Sequence, residues 1–325
     1  MSSSTDSVVA LRGVVKSYGA VPVLRGIDLE LGPGEVYAFL GRNGAGKSTT
    51  LRIVMGITRP DAGELRLFGE RVLPGDTRQR QRIGYVAQEQ HFYDWMTPEA
   101  LGRFVGAFYP TWRPTEYERL LRVLDVPPRK VRALSGGTRV KLALALALAH
   151  DPELLIFDEP TAGLDPVARR EFVEIVRDLA VTGHRTLLFS SHLIDEVERV
   201  ANRVGILEQG QVRYEGSLAE LRERARLLRV PAPSELELAE LQRLLAQHQL
   251  QVLAQHQERG ELELTLWSVE PRKLAELAER LPTARLELLS LEDVFVALVR
   301  GGHALAPDLR VDVVVPPSVR AAAQP

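Results

Sequence analysis

Apolar positions along the chain fall into two rhythms. Near the start, residues 8–15 and 23–31 alternate or cluster β-forming residues around turn residues, which predicts two strands. Residues 35–40 form a short apolar run ending at Gly41, followed by a glycine-rich loop and a helical pattern that begins near Lys47. Further apolar runs at 154–158 and 186–190 predict buried strands, and 166–180 and 192–201 predict helices. This alternation of β and α is that of a parallel-sheet core. Between these segments, 98–150 reads as mostly helical, interrupted near Pro127-Pro128 and at Ser135-Gly136-Gly137.

Beyond Gly216 the composition shifts to Leu, Glu, Arg and Gln. Strands are expected at 226–230, 250–255, 261–267 and 285–289, and helices at 234–247, 271–281 and 291–300. The order β-α-β-β-α-β-α predicts a small α+β appendage of ferredoxin-like type, and residues 227–245 echo residues 264–281. The expected plan is a disordered tail at 1–7, a first domain at 8–216, an accessory domain at 217–303 and an extended or disordered tail at 304–325. His248 and His256 lie among glutamines and read as solvated rather than metal-binding.

Composition narrows the function. At about 150 residues per domain, 325 residues suggest two domains, and 45% hydrophobic with 26% charged residues suits a globular chain with a full core. The net charge of -2 argues against a general nucleic-acid surface. The absence of Cys excludes disulfides, thiolate zinc sites, iron–sulfur clusters and thiol catalysis. The first seven residues have neither a basic start nor an apolar run and do not read as a signal peptide. The longest apolar run, Leu142 to Ala149, is far short of the ~20 residues that cross a bilayer. If the protein works at a membrane, another chain must do the crossing.

Two motifs carry chemistry. Residues 41–48, Gly41-Arg42-Asn43-Gly44-Ala45-Gly46-Lys47-Ser48, fit G-x-x-x-x-G-K-[ST]. The glycines let several backbone N–H groups face one anion, and the following helix adds its positive end. Lys47 would reach the β- and γ-phosphates of a nucleotide, and the Ser48 hydroxyl would ligate Mg²⁺. In the second motif, the apolar run 154–157 delivers Asp158 and Glu159 to the carboxyl end of a strand, where ligands bind in open α/β sheets. Asp158 would hold Mg²⁺ through water, and Glu159 would polarise the attacking water as general base.

Three further segments make a resemblance specific. Leu134-Ser135-Gly136-Gly137-Thr138 precedes a long helix, Ala162-Gly163-Leu164-Asp165 follows the acidic pair, and Ser190-Ser191-His192 closes a later strand. Over residues ~8–216 the chain resembles an ABC-type ATPase domain, with the family's motifs in family order. The resemblance implies an α/β P-loop NTPase fold: a RecA-like core, an antiparallel β subdomain and a helical subdomain at about 89–150, with the α+β appendage behind. It implies that Tyr18 stacks on adenine and that Gly41, Asn43, Gly44, Ala45, Gly46, Lys47, Ser48 and Thr49 cradle the ATP phosphates. Gln88 would sense Mg²⁺ and the lytic water, with Gln90 as the alternative, although Ala87 replaces the proline usual before that glutamine. His192 would bridge the γ-phosphate and Glu159. Ser135, Gly136, Gly137 and Asp165 would complete the pocket of an opposite subunit, with Thr138 standing where the family usually has Gln. The implied partners are a second copy or a second ATPase, and a separate membrane permease.

The interval 85–117 holds nine of the chain's 19 aromatic residues, which makes it either a small satellite core or a docking surface. Phe92, Tyr93 and Trp95 are expected to receive a permease helix. The run 90–96 and residues 290–295 are similar to bacterial exporter-type ATPases of the drug, antibiotic and lipid export group, and residues 84–117 to the acetoin-utilisation-like branch. The expected function is thus an ATP-hydrolysing transporter subunit, peripheral at the cytoplasmic face of the membrane, with a soluble ABC ATPase acting on ribosomes or DNA as the alternative.

Overall fold

The structure is a computed structural model that describes residues 7–300 apart from 74–76, 182–184, 232, 259, 269 and 282. Most of the two expected tails, 1–6 and 304–325, lies outside the described residues. The chain divides into two compact units, one ending at Leu218 and one starting at Ala219. Ser7, expected in the first tail, is instead buried, and its carbonyl accepts the Gly69 N–H at 3.1 Å.

The first unit begins with β1 (Val9–Tyr18), β2 (Val21–Leu31) and β3 (Val36–Gly41), followed by helix α1 (Lys47–Val54). Then come β4 (Ala62–Leu67), β5 (Glu70–Arg71) and β6 (Ile83–Val86), helices α2 (Pro98–Gly106), α3 (Pro114–Val123) and α4 (Gly136–Leu148), and β7 (Leu154–Asp158). Helix α5 (Pro166–Val181), β8 (Thr186–Ser191), α6 (Ile194–Val200), β9 (Arg203–Glu208) and β10 (Gln211–Ser217) complete it. His192 precedes α6 rather than belonging to it, contrary to the helix expected over 192–201. The six-stranded sheet has the order β10-β9-β3-β8-β7-β6, with β10 antiparallel to β9 and the other pairs parallel. Every residue of β3, β7 and β8 is buried. Their unbroken apolar runs follow from a sheet covered on both faces.

An antiparallel sheet, β2-β1-β4-β5, turns Leu11, Ile27, Leu29 and Leu31 inward onto Tyr37, Phe39, Leu51 and Ile53. The helical segment has one more break than expected, over residues 107–113. Pro110 lies within it and Pro114 follows it, and neither has an N–H with which to continue a helix through the segment. Before the break, α2 begins with Pro98 in its first turn and the Thr97 hydroxyl accepting the Ala100 N–H at 3.3 Å; after it, α3 resumes with Pro114 in its first turn.

The second unit contains most of α7 (Leu218–Arg224), then β11 (Ala225–Pro231), α8 (Glu235–Gln247), β12 (Gln251–Glu258), β13 (Glu261–Trp267), α9 (Arg272–Arg280), β14 (Arg285–Leu288) and α10 (Leu291–Arg300). Its sheet has the order β12-β13-β11-β14, antiparallel throughout. Leu241, Leu244 and Leu245 of α8 and Leu274 and Leu277 of α9 cover Leu228, Val230, Leu262, Leu264 and Leu266. A capping box between Ser234 and Glu237 starts α8. His248 departs from expectation: its side chain is only 11% exposed and its Nδ1 lies 3.4 Å from Glu276. His256 is exposed on β12, and no group of three His or acidic residues suited to a metal occurs among the described residues.

Candidate active site

The loop after β3 is shaped by contacts that only glycine permits. A Cβ on Gly41 would sit 2.5 Å from the Leu207 carbonyl of β9. Gly46, the residue before α1, has φ 111°, and a Cβ there would come within 2.6 Å of Leu24. The Ala45 carbonyl accepts the Gly210 N–H at 3.1 Å, so the β9–β10 turn braces the loop from behind. Asn43 and Gly44 are exposed at the crest, while Thr49 is half-buried on α1. Arg42, Asn43, Gly44, Ala45, His192, Glu208 and Gln209 line a cavity beside the loop.

Lys47 is 4% exposed, and its ammonium donates to the carbonyls of Gly41 at 2.8 Å and Arg42 at 3.2 Å. It also lies 2.9 Å from Glu159 Oε1. The other oxygen of Glu159 meets His192 Nδ1 at 3.0 Å. Beside this chain, the Ser48 hydroxyl donates to Asp158 Oδ1 at 2.8 Å, and Ser190 donates to the same oxygen at 2.9 Å.

Two consecutive carboxylates serving one loop require a break in the strand, because successive side chains of a strand point to opposite faces. Glu159 supplies it with φ 43°, in the left-handed region. Its N–H donates to Ser190 Oγ at 3.0 Å, which holds the turn. A non-glycine residue in this region costs about 1–2 kcal/mol, a strain that collects at functional sites.

The structure brings Lys47, Ser48, Asp158, Glu159 and His192 together. Other expected residues stand apart from this cluster. Tyr18 is 49% exposed at the end of β1, with the Lys16 ammonium 5.5 Å from its ring centre. Gln88 is exposed in the bend after β6, while Gln90 turns back to donate to the Ala87 carbonyl at 2.7 Å. Ser135 caps α4, its hydroxyl accepting the Thr138 N–H at 3.2 Å and lying 2.9 Å from the Thr138 hydroxyl. Asp165 is exposed before α5. The N–H groups of Ala168 and Val167 hold its carboxyl below the usual range. The starts of α4 and α5 lie side by side, since a Cβ on Gly137 would come within 2.9 Å of Ala168. Gly136 is exposed beside Ser135.

Ser190 is the residue that the sequence reading missed as a site member. Its position two residues before His192, at the end of a buried strand, was the available signal. Glu208 and Gln209 gave no signal, because only the fold carries the β9–β10 turn to the loop. The aromatic interval divides in two. Tyr109, Trp112 and Tyr117 form a packed group, with His150 stacked 4.1 Å from Tyr109. Tyr93, Trp95, Phe104 and Phe108 form an exposed chain of rings with centres 5.5–5.9 Å apart. Phe92, expected with the exposed set, is half-buried.

Residues 24–162 match the family model described as ABC transporter. The chain is 39% identical over 224 residues to a Nod factor export ATP-binding protein I of Ralstonia nicotianae, covering 66% of this chain and 68% of that one. It is 35% identical over 214 residues to a linearmycin resistance ATP-binding protein of Bacillus subtilis, covering 64% and 68%. Among solved structures, an ATP-binding subunit of an ABC transporter matches with a TM-score of 0.60 and 29% identity, covering 66% of this chain and 92% of that one. A dimeric bacterial ABC transporter cassette matches the fold with a TM-score of 0.60 at 24% identity, covering 65% and 98%.

Proposed function

Because the chain belongs to the family of ABC transporter ATP-binding subunits, we propose that two copies of it close around ATP and that hydrolysis drives a separate export permease. The observation that carries the reading is the buried chain Lys47–Glu159–His192 beside the Ser48–Asp158 pair.

Lys47 has two sets of partners, the loop carbonyls and Glu159. Phosphate oxygens of ATP compete with Glu159 for its ammonium. As Lys47 turns to them, Glu159 Oε1 is released to accept a proton from water, while His192 holds Oε2 and keeps the carboxylate aimed. Ser190 fixes the geometry by bonding both Asp158 and the Glu159 N–H. Ser48 and Asp158 offer hard oxygen donors 2.8 Å apart, a set that suits Mg²⁺, which takes one or two protein ligands and completes its shell with phosphate and water. When bound, Mg²⁺ would neutralise charge on the transferring phosphoryl group. Tyr18 offers an exposed ring for adenine, and Gln88 stands exposed on the segment after β6.

One chain holds one phosphate loop and one Ser135–Gly137 segment, so completion of the site calls for a second copy, paired head to tail. Ser135, Gly136, Gly137 and Asp165 support this reading by lying on adjoining, accessible helix starts. Closure would add an anion cradle and exclude water, both of which strengthen electrostatic stabilisation of the γ-phosphoryl group. Among the described residues no helix is long and apolar enough to cross a membrane. In this reading the permease is a separate chain that docks on the exposed rings of Tyr93, Trp95, Phe104 and Phe108, with this protein peripheral at the cytoplasmic face. The export direction rests on the names of the Nod factor and linearmycin relatives.

The test is turnover per chain over a dilution series at saturating Mg-ATP. The expected result is a specific rate that falls as the chain is diluted below its pairing concentration. A rate independent of concentration, from a chain that sediments as a monomer with ATP present, overturns the paired site.

A further inference from the structure

We propose that Arg169 of α5 and Glu196 of α6 form a positioning bridge that links the Asp165 turn to His192; the inference rests on the reading of the site given above. Glu196 is 7% exposed, and its Oε2 accepts the Ser191 hydroxyl at 2.8 Å. Ser191 Oγ in turn accepts the Leu193 N–H at 3.0 Å. The residues on either side of His192 are thus both tied to one carboxylate, which sets the backbone from which His192 reaches Glu159.

The other end of that carboxylate is not satisfied. Glu196 Oε1 and Arg169 Nε are both buried without a hydrogen-bond partner among the described residues, and they face each other across 3.8 Å. A buried acceptor and a buried donor so placed favour any movement that joins them. An approach of about 1 Å would bring them to ordinary hydrogen-bond distance. Glu196 also borders a small cavity lined by Phe157, Phe172, Val173, Val176 and Phe189, so its side chain is not packed tight on that side.

Arg169 also moves with the turn before its helix. Its N–H donates to the Asp165 carbonyl at 3.0 Å, in the first turn of α5. A push on Asp165 from a partner chain is therefore a push on Arg169. Closing the pair fixes Glu196 at both oxygens, which stiffens Ser191 and Leu193 and holds His192 on Glu159. Arg169 and Glu196 act through other residues and touch no reacting atom.

The test compares Arg169→Gln, Glu196→Gln, the double variant and Arg169→Lys in the full chain, reading kcat and KM for Mg-ATP. Each Gln variant is expected to lower kcat about tenfold with KM within about twofold, and the double variant to fall no further than the worse single. Arg169→Lys, which keeps the charge, is expected to recover most of the loss. Should Glu196→Gln fail to fold, Arg169→Gln and its Lys rescue decide the matter. Losses that multiply in the double variant, or a wild-type kcat in Arg169→Gln, overturn the bridge. Absence of turnover in the wild-type chain sinks the reading of the site and the bridge with it, whereas a wild-type rate that Arg169→Gln leaves unchanged sinks the bridge alone.

Discussion

Lys47 Nζ and Glu159 Oε1 stand 2.9 Å apart, and both side chains are almost wholly buried. A buried ion pair is weak evidence for stability, because desolvation of two charges offsets most of their attraction. In the proposed mechanism its value is chemical: Lys47 holds Glu159, the proposed base, until phosphate draws the ammonium away. Glu159→Gln keeps the shape and loses the proton acceptor. Turnover is expected to fall by about 10²–10⁴ while ATP binding persists and the closed pair accumulates. Single-turnover hydrolysis and sedimentation with ATP check both parts, and near-normal turnover would remove Glu159 from the role.

Ser135 offers a way to separate folding from pairing. Asp caps a helix about as well as Ser, so Ser135→Asp should leave α4 and the melting temperature in place. The added negative charge would face the phosphates of the other copy. ATP-dependent pairing should be lost and turnover should drop on the order of 10²-fold, while ATP binding by the single chain is kept. Sedimentation with and without ATP, alongside a nucleotide-binding assay, reads the two effects separately.

Trp95 is 65% exposed and belongs to the open chain of rings, so Trp95→Ala should change stability by less than about 0.5 kcal/mol. The same change should weaken capture of the proposed permease in a pull-down from membranes, and Trp95→Ala with Phe108→Ala should weaken it further. Aromatic residues dominate interface energetics in this way. Unchanged capture by the double variant would count against this surface as the docking site.

His150 is buried at the end of α4, with Nε2 3.2 Å from the Ile83 carbonyl, and burial holds its imidazole below the usual range. Its folded-state value therefore lies below the unfolded one of about 6.5. Between the two values the unfolded chain binds more protons, so stability rises with pH across that window. The contribution is complete above about pH 6.5 and is lost as pH falls through the folded value. His150→Gln keeps an N–H for Ile83 but does not titrate. Urea midpoints at pH 7.5 and 5.5 should show a shallower loss in the variant than in the wild type.

Much of this molecule could be read along the chain. Residues 41–48 and the run 154–159 state their chemistry locally, because a phosphate loop is built from backbone geometry that glycine spacing dictates, and a buried strand declares itself by apolar continuity. The strand, helix and loop assignments around them needed only local patterns for the same reason. The break at 107–113 is marked in the sequence only by Pro110 within it and Pro114 at its end, inside a stretch whose composition is otherwise helical.

Other features depended on residues far apart in sequence meeting in space. The left-handed turn at Glu159 carries no local marker, since it is held by Ser190, 31 residues later. Gln209 reaches the phosphate loop only through strand pairing of β9 with β3. The division of the aromatic residues into a packed group and an exposed one followed from which rings the fold covers, and the 3.8 Å spacing of Arg169 and Glu196 from how two helices pack. Sequence alone determined which groups this protein can use on a nucleotide; tertiary structure decided which of them touch, because hydrogen bonds and ion pairs depend on distances of a few ångströms that spacing along a chain does not encode.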